Sequence, residues 1–267
     1  MRFIFYFFLF NLIFLCGCHH KGKNISVTSM KFTCQFAGDS IYVHEPYFDT
    51  LQFFISRSNP DLISFKESNF SRKCTDHIES IGYRFMPLNI AQDSTLQLVS
   101  PVAYKISSFD FLASSVISYN NDSLRYGQNL VSWYQLRNQR TGHIFYLFNL
   151  QLQKNLTLYQ SRLIGFDLLR KIDEISAGVP VILIGDFYGS NAEIKRLLTD
   201  NWKNTYPLSE VKTSHQESDF LVNEFLKIKN SSSNKTNDSI INSVVIQFAI
   251  NTKKISRSKS GHPIPEY

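Results

Sequence analysis

The chain is poor in several residues and segments that would each have suggested a function. It has four cysteines in 267 residues, and neither Cys34 nor Cys74 has the His-rich surroundings expected of a metal site or an activated thiol. No apolar run reaches the ~20 residues that a spanning helix needs; the longest, from Phe3 to about Leu15, falls short of a bilayer. No Pro/Gly-rich linker divides the sequence, and no internal repeat is evident, so a multi-module or solenoid organisation is set aside. The charge imbalance is small. A formal +6, one less without Arg2, tolerates anions but does not demand a nucleic-acid partner.

What is present begins at the amino terminus. Arg2, the apolar run and then Leu15-Cys16-Gly17-Cys18 form a secretory signal that resembles a bacterial lipobox, with Cys18 as the expected acylated first residue. Residues 1–17 are therefore expected to be removed, residues 18–24 to act as a polar tether, and residues 25–267 to form one domain. Taking 17 from 267 leaves 250 residues, enough for a substantial core. The expected site is the cell envelope, lipid-anchored, and no acidic cluster follows Cys18 to suggest outward display, so a periplasm-facing anchor is favoured. An exported compartment permits a Cys34–Cys74 bridge, and two buried thiols fit as well.

Along the domain, the patterns alternate between periods of two and 3.6. Strands are expected at Ile25 to Phe36, Leu62 to Phe65, Leu96 to Tyr104, Phe111 to Tyr119, Phe220 to Ile228 and Ile240 to Ile250. Leu130 to Leu136 and His143 to Leu150 read as a hairpin. Helices are expected at Tyr47 to Ser56, Cys74 to Ile81 and Leu156 to Ile175, the last with an apolar stripe through Leu163, Phe166, Leu169 and Ile172. The polar stretch Asn230 to Ser239 reads as a loop. Val181 to Ile184 is a continuous apolar run, a strand buried on both faces, broken by Gly185 and followed by Asp186. Ser190 and Glu193 fit a capping box for the helix carrying Ile194, Leu197 and Leu198. Strands interleaved with long helices argue for packed sheets with helices outside.

Taken in order, several segments carry a resemblance. Met30-Lys-Phe-Thr33, Pro60-Asp-Leu-Ile-Ser-Phe-Lys-Glu67, Val102 to Leu112, Val131-Ser-Trp133, Phe145 to Gln151, Gly185-Asp-Phe-Tyr188, Ser218-Asp-Phe220 and Ser260-Gly-His262 are similar to successive motifs of the endonuclease/exonuclease/phosphatase superfamily, whose fold is that of deoxyribonuclease I. The resemblance covers nearly all of the chain after the tether. It implies an α+β, four-layer α/β/β/α sandwich in which two mixed sheets pack face to face with helices outside. It also implies a site in which Glu67 binds Mg²⁺ or another divalent metal, Asp186 and His262 activate and orient water, and Asn149 holds charge developing on phosphorus.

Four positions depart from that pattern. Thr33 stands for an Asn, Gln151 for a His, Tyr188 for an Asn, and Gly261 for the Asp before the final His. Gln151 can donate a hydrogen bond to phosphate but carries neither proton nor charge. Tyr188 is too large for a short amide's place, and Gly261 leaves His262 without an orienting carboxylate. Each lost transition-state contact costs about 10²-fold in rate. The expectation is a phosphate-ester-binding lipoprotein with a degenerate, weakly active or inactive site. Two alternatives stand beside it: a working Mg²⁺-dependent phosphoesterase using Glu67, Asp186 and His262 with Asp219 as a substitute carboxylate, and a non-catalytic envelope binding protein. Nucleic acid is not the favoured ligand, because no segment stands out as a strand-gripping insertion.

The surviving residues also admit plain structural roles. Glu67 could be a surface carboxylate, Asn149 a strand-edge amide, Asp186 a turn residue and His262 an ordinary exposed imidazole. The basic residues Lys253 to Lys259 fit a solvated loop better than a steering surface.

Overall fold

The computed structural model describes residues 25–32, 45–66, 72–87, 101–119, 129–153, 155–185, 192–200, 208–210, 219–223, 226–235 and 241–250. Its strands are β1 (Ile25–Phe32), β2 (Leu62–Lys66), β3 (Tyr83–Phe85), β4 (Val102–Lys105), β5 (Phe109–Ser118), β6 (Leu130–Asn138), β7 (Ile144–Gln151), β8 (Val181–Gly185), β9 (Leu208–Glu210), β10 (Asp219–Asn223), β11 (Leu226–Lys235) and β12 (Ile241–Ile250). The helices are α1 (Glu45–Ser58), α2 (Arg72–Ser80), α3 (Leu158–Ser176) and α4 (Ala192–Asp200).

Among the described residues the strands form two six-stranded sheets, in the orders β11-β12-β1-β2-β4-β3 and β5-β6-β7-β8-β10-β9. Each is mixed: β1 runs parallel to β2 and β7 parallel to β8, and every other pairing is antiparallel. The period-two alternation of strand side chains decides what each face buries. Leu62 and Tyr104 from the first sheet meet Tyr134, Leu136, Phe145, Leu147, Ile182 and Ile184 from the second in one inter-sheet core. The intervening residues face outward. Ile63, Phe65 and Ala103 pack with Leu51 and Ile55 of α1 and Ile78 of α2. Val131, Phe148, Val181 and Leu183 pack with Ile164, Leu168 and Ile172 of α3 and Ile194 and Leu198 of α4. The result is the expected helix/sheet/sheet/helix sandwich.

Several local expectations are corrected. Phe220 to Ile228 is not one strand: β10 ends at Asn223, and β11 begins at Leu226. The supposed loop from Asn230 is strand as far as Lys235, paired along Asn242 to Gln247 of β12 with a bulge between Ile228 and Asn230. A polar strand at a sheet edge can face water, so the tertiary ladder overrides weak local propensity. The α3 stripe is rotated. Leu163 and Phe166 are 50% and 54% exposed, while Ser161, Ile164, Gly165, Leu168 and Ile172 are buried. Gly165 lets α3 approach α4 closely, and Leu163 and Phe166 fall on the exposed side.

Helix α3 starts with a capping box that the sequence reading did not pick out. Thr157 accepts from the Gln160 amide, and Gln160 Oε1 accepts from Thr157 N. The capping box expected at Ser190 lies outside the described residues. Its Glu193 bridges helices, accepting from Arg162 Nε of α3 at 2.9 Å and from Arg196.

Candidate functional site

Strand direction decides whether the motif residues can meet. At one end of the sandwich, Asp61, just before β2, accepts from Ser108 Oγ at 2.7 Å, and Ser108 O accepts from Gln139 N at 3.0 Å. Gln139 begins the turn joining β6 to β7, so β2 and β7 start at the same end. At the other end, Ser64 Oγ of β2 donates to Asn149 Oδ1 of β7 at 3.1 Å, across the gap between the sheets. Strand β8 runs parallel to β7 with Ile184 paired to Asn149, and β1 runs parallel to β2 with Lys31 paired to Lys66. All four strands therefore finish at one end. Glu67 directly follows β2, Asp186 directly follows β8, and Thr33 directly follows β1. Those three residues lie outside the described ones, as do Tyr188, Gly261, His262 and Cys18.

Asn149 is the motif residue whose surroundings are described in most detail. It lies on an interior strand, between Ser132 of β6 and Ile184 of β8, so it does not close a sheet edge. It is 3% exposed and belongs to the inward-facing set of β7 with Phe145 and Leu147. Ser132 Oγ donates to the Asn149 carbonyl at 3.4 Å, and Ser64 and Ser132 are buried with it. Burying an amide and two hydroxyls costs a few kcal/mol unless they bond one another, which is what this arrangement supplies. Gln151, two residues on, falls on the same face of β7 and is half-buried at the strand's end.

Further along the same face of β6 lies Tyr134. It is buried, with the Ser132 hydroxyl near its own but no hydrogen bond of ordinary geometry made to it among the described residues. Burial pushes its phenol up to about 12, with the nearby Ser132 hydroxyl acting in the opposite direction.

Asp219 opens β10 and pairs with Gly185, so the sheet register sets a carboxylate-bearing residue beside the residue that precedes Asp186. Among the described residues no group of three His, Cys, Asp or Glu could hold a metal ion. The aromatic residues of β7 are core: Phe145 and Phe148 are fully buried, and Tyr146 packs between Trp133 and Phe148. Sequence reading missed Ser64 and Ser132. Their signal was present, since Ser64 stands between Leu62 and the end of β2, and Ser132 between Leu130 and Tyr134 of β6, at positions that an alternating pattern gives to core side chains.

No protein-family model and no curated protein matches the chain. Solved structures do. A Bacteroides vulgatus endonuclease/exonuclease/phosphatase superposes with a TM-score of 0.68 at 14% identity, covering 85% of this chain and 99% of that one. The human Nocturnin catalytic domain with a bound sulfate anion gives 0.64 at 16% identity, covering 85% and 94%. A mannosyl-6-phosphatase of Bacteroides thetaiotaomicron gives 0.60 at 14%, covering 84% and 100%. The chain has the endonuclease/exonuclease/phosphatase fold. The Ser64–Asn149 bond lies at the common end of β1, β2, β7 and β8.

Proposed function

We propose that this chain is a lipid-anchored envelope protein that binds phosphate esters at the shared strand ends and hydrolyses them weakly or not at all. The observation that carries the reading is Asn149: a buried amide held across the sheets at the end where β2 and β8 lead into Glu67 and Asp186. The residues implied there offer oxygen donors, Glu67 and Asp186 with Asp219 nearby in register, and that set suits a hard divalent cation such as Mg²⁺. Such an ion would neutralise phosphoryl charge when bound. The chain's own part is narrower: Asn149 and Gln151 donate hydrogen bonds to phosphoryl oxygens, and Glu67 supplies the metal carboxylate.

Proton handling is where the chain is deficient. Gln151 cannot accept or deliver a proton, and Gly261 gives His262 no carboxylate partner. Binding survives such losses better than turnover does, because phosphate needs only donors and charge whereas the leaving oxygen needs a positioned acid or cation. Neighbours of this fold include a domain holding sulfate and a sugar phosphatase, which supports an oxyanion or phosphate-ester ligand. Anchoring rests on Cys18, and among the described residues no helix is long and apolar enough to cross a membrane. A periplasm-facing position follows from the lipobox and the absence of acidic residues just after it.

The test is a Mg²⁺ titration of the purified protein with inorganic phosphate by calorimetry, alongside turnover of a generic phosphodiester and a phosphomonoester. Metal-assisted phosphate binding that is lost in Glu67→Ala, with turnover well under the ~1 s⁻¹ floor of ordinary enzymes, is the expected result. Absence of binding would leave only an envelope scaffold. Loss of acyl labelling and membrane retention in Cys18→Ala checks the anchor.

A second reading, an active hydrolase, is favoured by the pairing of Asp219 with Gly185. Turnover above that floor, abolished in both Glu67→Ala and Asp219→Asn, would establish it.

A further inference from the structure

Among the described residues, one hydrogen bond joins side chains of the two sheets at the site end: Ser64 Oγ to Asn149 Oδ1, between residues 85 apart in sequence. We propose that Ser64 is a positioning residue, which holds the Asn149 amide so that its Nδ2 end donates to a bound oxyanion; this rests on the phosphate-binding reading above. Ser64 is fully buried between Leu62 and the end of β2, where an apolar side chain would avoid the cost of desolvating a hydroxyl.

The chemistry of an amide explains the choice. Asn presents an acceptor at one end and a donor at the other, and an anion accepts only from the donor. A serine hydroxyl can turn to donate or accept. Once an anion engages Nδ2, the Ser64 hydroxyl donates to Oδ1 while Nδ2 donates to the anion, a pairing that uses both ends of the amide. Without the hydroxyl, Oδ1 is left without its cross-sheet donor in the bound state, at a site that is 3% exposed. The amide can turn to relieve that, but turning aims its oxygen at the anion. Ser132 completes the device from the other side by bonding the Asn149 carbonyl, which fixes the backbone from which the amide projects. The two hydroxyls thus hold one residue at both its side chain and its main chain.

The experiment uses the full chain with Mg²⁺ and inorganic phosphate, read by calorimetry, and the Asn149 side-chain amide signals, read by nitrogen–proton NMR without anion and identified by their absence in Asn149→Asp. Ser64→Ala is expected to weaken phosphate about tenfold, the scale of one lost buried hydrogen bond. Ser64→Thr, which keeps the hydroxyl, restores most of the affinity. Ser64→Ala combined with Asn149→Ala is no weaker than Asn149→Ala alone, because the serine acts only through the amide. In Ser64→Ala without anion, the Asn149 amide pair shifts or splits into two sets. A merely structural serine would lower the melting temperature while leaving both the affinity and the amide signals unchanged, and that result overturns the proposal. If the wild-type protein binds no phosphate, the phosphate-binding reading fails by itself. The hold on Asn149 is then judged by the amide signals: a change on Ser64→Ala supports it, and unchanged signals overturn it.

Discussion

Gly165 in the middle of α3 invites substitution, and the structure sets two opposed terms for it. Glycine in a helix interior is worse than alanine by about 0.5–1 kcal/mol, so Gly165→Ala should stabilise if space allows. Space does not allow it. A Cβ at 165 would lie 2.8 Å from Leu197 Cδ1, 3.5 Å from Leu197 Cβ and 3.6 Å from Ile194 Cα, all on α4. The nearest atom is the end of a leucine side chain, which could swing away on the surface. Leu197 is only 2% exposed, so the swing must be taken up off-rotamer or by separating the helices. Overpacking of this kind costs about 1–3 kcal/mol, more than the propensity gain.

The expected net effect is therefore a loss of about 1 kcal/mol, or some 2–4 °C in melting temperature for a domain this size. Leu197→Ala removes the obstructing atom, so in that background Gly165→Ala should change sign and stabilise by ~0.5–1 kcal/mol. Urea unfolding of the wild type, both single variants and the double variant measures the four corners of the cycle. Stabilisation by Gly165→Ala in the wild-type background, or an equal effect in both backgrounds, would show that close contact between α3 and α4 does not fix residue 165.

Three further outcomes follow from local chemistry. Thr157→Ala breaks the α3 capping box and should cost about 1 kcal/mol by urea unfolding, with Gln160→Ala adding little afterwards because the two bonds are reciprocal. Tyr134→Phe removes a buried hydroxyl that makes no hydrogen bond of ordinary geometry among the described residues, so stability should stay level or rise by up to ~1 kcal/mol; a clear loss would reveal a partner for that oxygen. Glu193, hydrogen-bonded by Arg196 and Arg162, has its carboxyl held down at about 2 against an ordinary 4.5. A folded-state pKa below the unfolded one gives stability that is present above about pH 4.5 and lost as pH falls through about 2. Glu193→Gln should therefore melt below wild type at pH 7, with the gap closing by pH 2; a gap constant with pH would show that the carboxylate's charge contributes nothing.

The central strands were legible in the sequence, because the hairpin Leu130 to Leu136 with His143 to Leu150 and the apolar run Val181 to Ile184 answer to burial alone. The order of motifs was legible as well, and it fixed the sandwich. Elements decided by what they pair with or pack against, more than by their own composition, were not. β11 is strand because β12 offers it a ladder, although Ser231 to Asn234 have no strand preference of their own. The α3 face was misread because Leu163 and Phe166 outweigh Ser161 and Gly165 on any hydrophobic count, whereas close helix packing selects small side chains. For the site, the sequence named Asn149 but not what holds it. Ser64 lies 85 positions away, and only the stacking of the two sheets makes them neighbours.

That separation bears on how such a site decays. The groups that hold Asn149 are buried with it, and losing either removes a buried hydrogen bond from the fold itself. The positions where this chain departs from the motif pattern, Thr33, Gln151, Tyr188 and Gly261, are of another kind. Gln151 falls at a strand terminus, Thr33 directly follows one, and Tyr188 and Gly261 lie in the segments that follow β8 and β12. Strand ends and the segments between elements are where substitution ordinarily alters chemistry with less effect on core packing. On the phosphate-binding reading proposed above, proton transfer can be lost at such positions one residue at a time, whereas the amide proposed to grip the oxyanion is tied to a buried bond between the sheets. A chain of this fold that has given up hydrolysis would for that reason keep its phosphate-binding amide longest.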